Sequence, residues 1–169
     1  MKKITILIAD DHALIRETWR FLLNAVPQFK VIAESDSGEE TVKLASRLTP
    51  DIVMMDINLN GMNGIIATPL IRKTSPSSKV LALSMYKQAS YVKQMMNAGA
   101  MGYVTKDSNA AELEMAIFKL HDGDKYICDE ACHYLAEEVL GGNKLDALTK
   151  KEIQITEHVK KRRIFERYR

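Results

Sequence analysis

Short apolar runs alternate with amphipathic segments five times between residues 3 and 122 of this 169-residue chain. Such runs are typical of buried strands, and the segments between them repeat apolar residues at helical spacing. We predict strands at residues 3–9, 29–34, 52–56, 79–84 and 101–105. Strands and helices that alternate in this way form a doubly wound parallel sheet, because short right-handed crossovers leave few other arrangements. The expected fold class is α/β with a five-stranded parallel sheet.

Start and stop signals place the helices between these strands. One apolar stripe after the first strand is expected to face the core, with Trp19 as a core residue: Leu14, Ile15, Thr18, Trp19, Leu22 and Leu23. Capping and breaking residues set the other bounds. The second helix is expected from Ser37, or the residue before it, to about Leu48, and the third over 65–73, with Pro69 near its first turn or at a kink. The fourth is expected over 88–98 before Gly99, and the fifth from Ser108 or Asn109 to about His121.

The third strand carries an acid at its carboxyl end. Its four apolar residues, 52–55, lie between Pro50 and a loop rich in glycine and asparagine, so the strand should be buried on both faces. It ends at Asp56, and open α/β sheets place their ligand sites at the carboxyl ends of strands. An isolated acid in this position often only starts a turn or caps the next helix. The other strand ends therefore decide what Asp56 does.

Several strands end in side chains that carry chemistry. Because the carboxyl ends of parallel strands meet at one edge, these residues should converge: Asp10, Asp11, Asp56, Ser84 and Lys106. Crowded carboxylates repel one another, and Mg²⁺, which prefers oxygen ligands, relieves that repulsion. The set suits phosphoryl transfer to an aspartate nucleophile, which depends mainly on positioning and electrostatics. In the alternative reading the acids cap helices, Lys106 pairs with Asp107, and Tyr103 is a core aromatic.

Residues 3–122 resemble the receiver domain of a two-component response regulator, the CheY-like flavodoxin fold. Lys106 lies 22 residues after Ser84 and three after Tyr103, and the loop after Asp56 contains Gly-Met-Asn-Gly. Three segments are similar to the NarL/FixJ subfamily in particular: Asp10-Asp11-His12, Leu83-Ser84-Met85-Tyr86 and Gly99-Ala100-Met101-Gly102-Tyr103. The resemblance implies a strand order of 2-1-3-4-5.

The resemblance also implies a role for each site residue. Asp56 would accept a phosphoryl group from a sensor histidine kinase. The ligands of Mg²⁺ would be Asp10 (through water), Asp11, Asp56 and the backbone carbonyl of Asn58. Lys106 and Ser84 would contact the phosphoryl oxygens, and a movement of Ser84 with an inward turn of Tyr103 would form the switch.

One residue departs from the common receiver pattern, and two others lie where receivers differ in the lifetime of the phosphoryl group. Asp107 follows the lysine where most receivers have a proline in a cis bond; a cis bond without proline is costly, but the sequence leaves the isomer of the Lys106-Asp107 bond open. Asn58 and Tyr86, each two residues beyond a site residue, lie where the family tunes the phosphoryl lifetime, but no rate follows from them.

The chain after the receiver domain, residues 1–122, is expected to hold a linker at 123–147 with one helix from Glu130 to Leu140, and then a basic segment at 148–169. From Lys144 onward there are nine Lys/Arg and four Asp/Glu, although the whole chain has a net charge of only +2. The opening of this segment resembles a LuxR-type helix-turn-helix domain, with a capping box from Thr149 to Glu152. Without a recognition helix it cannot read DNA sequence in the major groove, so the output module is expected to be incomplete, or the segment to be a basic helical tail.

Cys128 and Cys132, expected on one helix, are interpreted as reduced thiols rather than metal ligands.

Two functions remain open at this point. The chain is either a phosphorylation-switched regulator of transcription, which contacts DNA only through a complete output module, or a stand-alone phosphorelay receiver that acts through protein contacts. A metal-dependent phosphatase is disfavoured, because Asn58 does not suit the role of general acid. In either case we expect no enzyme beyond turnover of its own phosphoryl group, a cytoplasmic location, a sensor kinase and a homodimer as partners, and no membrane partner.

Overall fold

Six parallel strands form the sheet. A computed structural model describes residues 2–140; one compact unit ends at Leu135 and a second begins at Ala136. The strands are β1 (Ile4–Ala9), β2 (Phe29–Ser35), β3 (Ile52–Asp56), β4 (Lys79–Ser84), β5 (Gly102–Thr105) and β6 (Tyr126–Ile127). Their order is β2-β1-β3-β4-β5-β6, and every neighbouring pair is parallel. The predicted fold class and the order of the first five strands are confirmed.

The prediction of five strands is wrong by one. β6 pairs with β5 through Gly102 opposite Tyr126 and Tyr103 opposite Ile127. Two residues are too few to produce a periodic pattern in the sequence. They are extended because β5 offers them an open edge with unpaired backbone groups.

Helices connect the strands at nearly the predicted positions. They are α1 (Ala13–Ala25), α2 (Gly38–Leu48), α3 (Gly64–Thr74), α4 (Ala89–Ala98), α5 (Ala110–His121) and α6 (Asp129–Val139). Ser37 and Asn109 cap α2 and α5, where the side chain accepts a hydrogen bond from the third backbone N–H beyond it. Gly99 ends α4 at φ +106°, a left-handed conformation that suits glycine. Pro69 lies in the second turn of α3, and not in the first.

The inner face of α1 is narrower than predicted. Trp19 and Leu23 are buried and Ile15 is partly buried, but Leu14 and Leu22 are 75% and 38% exposed. Leu14, Thr18 and Leu22 each lie one residue before a member of the inward stripe. In a helix with 3.6 residues per turn, that offset turns them about 100° away from it. Only one of the two adjacent stripes faces the sheet.

The linker region begins with β6 and continues into the single predicted helix, α6. Cys128 lies before α6 and is buried, whereas Cys132 lies within it and is exposed. The prediction that both cysteines lie on one helix is therefore wrong. Neither cysteine forms a disulfide with another of the described residues. Among residues 2–140, no helix combines the length and the apolarity needed to cross a lipid bilayer. The predicted basic segment at 148–169 lies outside the described residues.

Candidate functional site

The sheet order brings the predicted site residues to one edge. β3 lies between β1 and β4, with β5 beyond β4. Asp56 ends β3 and Ser84 ends β4, whereas Asp10 and Lys106 directly follow β1 and β5. All of these side chains are buried. Residues separated by up to 96 positions in the sequence therefore lie together.

The Lys106 ammonium connects two of the acids. Its Nζ atom donates to Asp10 Oδ2 at 2.5 Å and to Asp56 Oδ2 at 2.8 Å. Burial by itself would lower the pKa of Lys106, but the two carboxylate hydrogen bonds outweigh burial and raise it. Lys106 does not pair with Asp107 in the structure; Asp107 instead lies 2.9 Å from the Nζ atom of Lys87.

Asp56 lies at the centre of the site. Its Oδ1 atom accepts a hydrogen bond of 3.2 Å from the backbone N–H of Asn58, and its Oδ2 atom accepts the one from Lys106. Burial raises the pKa of Asp56, an effect that exceeds the lowering by Lys106, and the nearby charge of Asp10 acts in the same direction as burial. The folded protein therefore disfavours the charged form of this carboxyl.

The acid pair after β1 contains a buried oxygen that accepts no hydrogen bond. Asp11 Oδ1 is buried and accepts no hydrogen bond, although His12 Nδ1 lies 2.7 Å away. Asp10 Oδ1 does accept one, from the backbone N–H of His12 at 2.9 Å. Asp10, Asp11, His12 and Asp56 each offer a ligand atom, and these atoms lie within 4.8 Å of one another. His12 was not predicted to take part in this cluster; only its adjacency to the acid pair points to it.

Ser84 and Tyr103 both contact the backbone of Tyr86. Ser84 Oγ accepts a hydrogen bond from the Tyr86 N–H at 2.9 Å, and the Tyr103 hydroxyl donates to the Tyr86 carbonyl at 3.0 Å. Tyr103 is fully buried, and burial raises its pKa to about 12. The Tyr86 hydroxyl in turn accepts a hydrogen bond of 2.6 Å from Asn58 Nδ2, and its ring stacks on Tyr91 at 4.0 Å. Tyr86 therefore joins the loop after β3 to the loop after β4, a contact that was not predicted.

The backbone after β5 is tied to β4. The Lys106 N–H donates to the Ser84 carbonyl at 2.9 Å. The peptide bond between Lys106 and Asp107, whose isomer the sequence left open, is trans. The lysine therefore reaches the acids from the first residue of the turn that follows β5.

One protein family matches most of the chain. Residues 6–118 match the family of response regulator receiver domains. The transcriptional regulatory protein DegU of Brevibacillus brevis is 38% identical over 136 residues, which cover 80% of this chain and 58% of DegU. The response regulator GacA of Pseudomonas viridiflava is 33% identical over 156 residues, which cover 90% of this chain and 73% of GacA. The chain thus spans between about half and three quarters of the length of these relatives.

Solved structures lead to the same family. The crystal structure of a two-component response regulator of the LuxR family from Aurantimonas sp. SI85-9A1 superposes with a TM-score of 0.78 at 35% identity, covering 82% of this chain and 99% of that one. The signal receiver domain of the putative response regulator NarL from Mycobacterium tuberculosis superposes with a TM-score of 0.70 at 28% identity, covering 73% of this chain and 99% of that one. With its parallel sheet, its buried acid cluster and these relatives, the chain belongs to the response regulators of two-component systems and carries a receiver domain of the NarL and LuxR type.

Proposed function

We propose that this receiver domain is switched by transfer of a phosphoryl group from the phosphohistidine of a sensor kinase to Asp56. The observation that carries the proposal is the position of Lys106 Nζ, which contacts Asp10 and Asp56 at once, next to an acid pair in which Asp11 Oδ1 accepts no hydrogen bond. The Lys106 ammonium contacts two of the carboxylates, and Asp11 adds a third to the same cluster, so the site needs more positive charge before it can receive a phosphoryl group.

The sheet order supports Asp56 as the acceptor. β3 lies between β1, which carries the acid pair, and β4, which carries Ser84. A phosphoryl group on Asp56 would therefore have cation ligands on one side and a hydroxyl donor on the other, with Lys106 in contact already. In the transfer, the N–P bond of the phosphohistidine breaks, an O–P bond forms at Asp56, and the released imidazole takes up a proton.

The residues of the site fit a divalent cation. Asp11 Oδ1 is a buried oxygen that accepts no hydrogen bond, and three of the four members of the cluster are carboxylates, the ligand type that Mg²⁺ prefers. Asp10, Asp11, Asp56 and the carbonyl of Asn58 would hold the ion. When bound, Mg²⁺ would supply positive charge that neutralises the phosphoryl oxygens.

The proposed switch involves Ser84 and Tyr103. A phosphoryl group on Asp56 would compete for the Ser84 hydroxyl, which now accepts a hydrogen bond from the Tyr86 N–H. Tyr103 contacts the carbonyl of the same residue, so a shift of the loop after β4 alters its environment too. A local charge event would in this way bias a larger element.

The output of the switch is the control of transcription in this proposal. The names of relatives support it, since DegU is described as a transcriptional regulatory protein. A sensor kinase and a second copy of the chain are the protein partners proposed, and DNA contact requires a complete output module. The receiver itself turns over only its own phosphoryl group.

Intact-mass measurement with a small phosphodonor tests the proposal. The full chain, incubated with acetyl phosphate and Mg²⁺, should gain the mass of one phosphoryl group, and EDTA should prevent the gain. Asp56→Asn should gain nothing, whereas Asp36→Asn, which changes an exposed acid in the loop after β2, should behave like the unaltered protein. Phosphorylation of Asp56→Asn to the same extent would refute the assignment.

A further inference from the structure

A group of polar side chains connects α6 to the loops that carry Ser84 and Lys106. We call it the Glu130 network, and it consists of Lys87, Thr105, Asp107, Glu130 and Tyr134. The Glu130 carboxylate accepts hydrogen bonds from the Thr105 hydroxyl at 2.9 Å and from the Tyr134 hydroxyl at 2.7 Å. The Lys87 Nζ atom lies 3.0 Å from Glu130 Oε1 and 2.9 Å from Asp107 Oδ2.

The network is adjacent to the groups that would contact a phosphoryl group. Thr105 and Asp107 are the immediate neighbours of Lys106 in the chain, so any movement of the Lys106 backbone moves both. Lys87 directly follows Tyr86, whose N–H donates to Ser84 Oγ. Both loops reach the same carboxylate on the first turn of α6. Glu130 therefore receives contacts from the two loops that the proposed switch would displace.

The energetics of the network suit a reversible contact. Lys87 and Asp107 are about half exposed, with side chains at 48% and 53%, and exposed ion pairs contribute little individually. Thr105 is buried, which fixes one donor to Glu130 in position. Hydrogen bonds from Tyr134 and from Lys87 lower the pKa of Glu130, so the carboxylate stays charged at neutral pH. Lys87 lies in the loop after β4 and Thr105 ends β5, so a shift of either segment weakens a contact whose strength depends steeply on geometry.

We propose that the Glu130 network is a latch that holds the first turn of α6 on the receiver while Asp56 is unphosphorylated and releases it when Ser84 and Lys106 contact the phosphoryl group. The proposal rests on the function proposed above. It makes α6, the helix through which the chain leaves the receiver, the element that responds to the site. Because coupling between two equilibria is reciprocal, breaking the latch must also tighten the binding of a phosphoryl mimic by the same factor.

Hydrogen exchange of the full chain tests the latch, with Mg²⁺ and beryllofluoride as the phosphoryl mimic. In the unaltered protein, the mimic should speed amide exchange in a peptide covering residues 128–135 by about fivefold or more, the lower end of typical couplings. Glu130→Gln should show the faster exchange without the mimic and should bind the mimic more tightly by a similar factor in calorimetry. Asp129→Asn is the matched control, since it removes the same charge from the same helix terminus and should behave like the unaltered protein.

The outcomes separate failure of the latch from failure of the proposed function. If the unaltered protein binds the mimic but exchange in α6 does not change, or if Glu130→Gln binds it with unaltered affinity, the latch is wrong and the phosphorylation site stands. Equal effects of Asp129→Asn would also overturn the latch, because they would trace the response to charge at the helix terminus. An unaltered protein that does not bind the mimic at all overturns both proposals. If Glu130→Gln does not fold by circular dichroism, Lys87→Gln breaks the network from the receiver side and is subject to the same criteria.

Discussion

Replacing Lys106 with methionine should destabilise the folded protein by about 3–5 kcal/mol, the usual cost of removing one partner from a buried ion pair. The lysine side chain is only 6% exposed and contacts carboxylates of Asp10 and Asp56 that are 0% and 5% exposed. Methionine fills a similar volume and keeps the apolar contacts of the lysine stem. The loss therefore comes from two buried carboxylates that no longer have a cation between them.

The magnitude is large enough to measure by ordinary means. In a chain of this length, 1 kcal/mol corresponds to about 2–4 °C in the midpoint of thermal unfolding, so the expected decrease is about 6–20 °C. Urea unfolding followed by the fluorescence of Trp19, the single and buried tryptophan, gives the free energy directly. Lys43→Met removes an exposed lysine from α2 and serves as the control.

The same urea unfolding experiment can refute the prediction. If Lys106→Met lies within about 0.5 kcal/mol of the unaltered protein, the range of ordinary surface substitutions, then the lysine does not compensate the buried acids. Mg²⁺ should stabilise Lys106→Met more than the unaltered protein, because an added cation replaces the missing charge and a ligand that binds only the folded state stabilises it.

Three further substitutions follow from the site and from one helix terminus. Asp56→Asn should stabilise the protein at neutral pH, because burial raises the pKa of Asp56. The stability that this carboxyl contributes is present below its ordinary pKa and is lost as pH rises through the raised value. Urea unfolding at a series of pH values should show that the variant lacks this loss. Tyr103→Phe should remove the titration step at about pH 12 that phenolate formation by Tyr103 gives in absorbance. The stability linked to that phenol is present below about pH 10 and is lost as pH rises through about 12. If the variant kept the step at about pH 12, the burial of Tyr103 would be contradicted. Gly99→Ala should destabilise the folded protein by about 1–3 kcal/mol in urea unfolding, because φ at this position is +106° and a Cβ atom would clash with the Arg72 side chain. An unaltered unfolding midpoint would contradict both the backbone strain and the clash.

Periodicity and capping residues were enough to predict most of the fold. The parallel sheet follows from regular alternation, whereas the order of its strands was implied by the resemblance to receiver domains. Ser37, Asn109 and Gly99 mark helix ends through local hydrogen bonds or backbone conformation that depend on neighbouring residues only. Two features depend on tertiary contacts instead. β6 exists because β5 has an open edge, and the choice between adjacent stripes on α1 depends on how the helix rotates against the sheet.

The membership of the site could be predicted, but its contacts could not. The acids, Ser84 and Lys106 converge because parallel strands end at one edge, which is a property of the topology. The contact of Lys106 with both Asp10 and Asp56 spans up to 96 positions, and the hydrogen bond of Asn58 to Tyr86 joins two loops of irregular conformation. No local pattern encodes such distances, since they depend on how long side chains meet after the sheet has formed.

Locating the modified carboxyl tests the central claim most directly. The full chain is phosphorylated with acetyl phosphate and Mg²⁺, treated with borohydride to reduce the acyl phosphate to an alcohol, digested, and sequenced by tandem mass spectrometry. We predict homoserine at position 56 and unaltered aspartate at positions 10 and 11. Homoserine at either member of the acid pair, with Asp56 intact, would contradict the account.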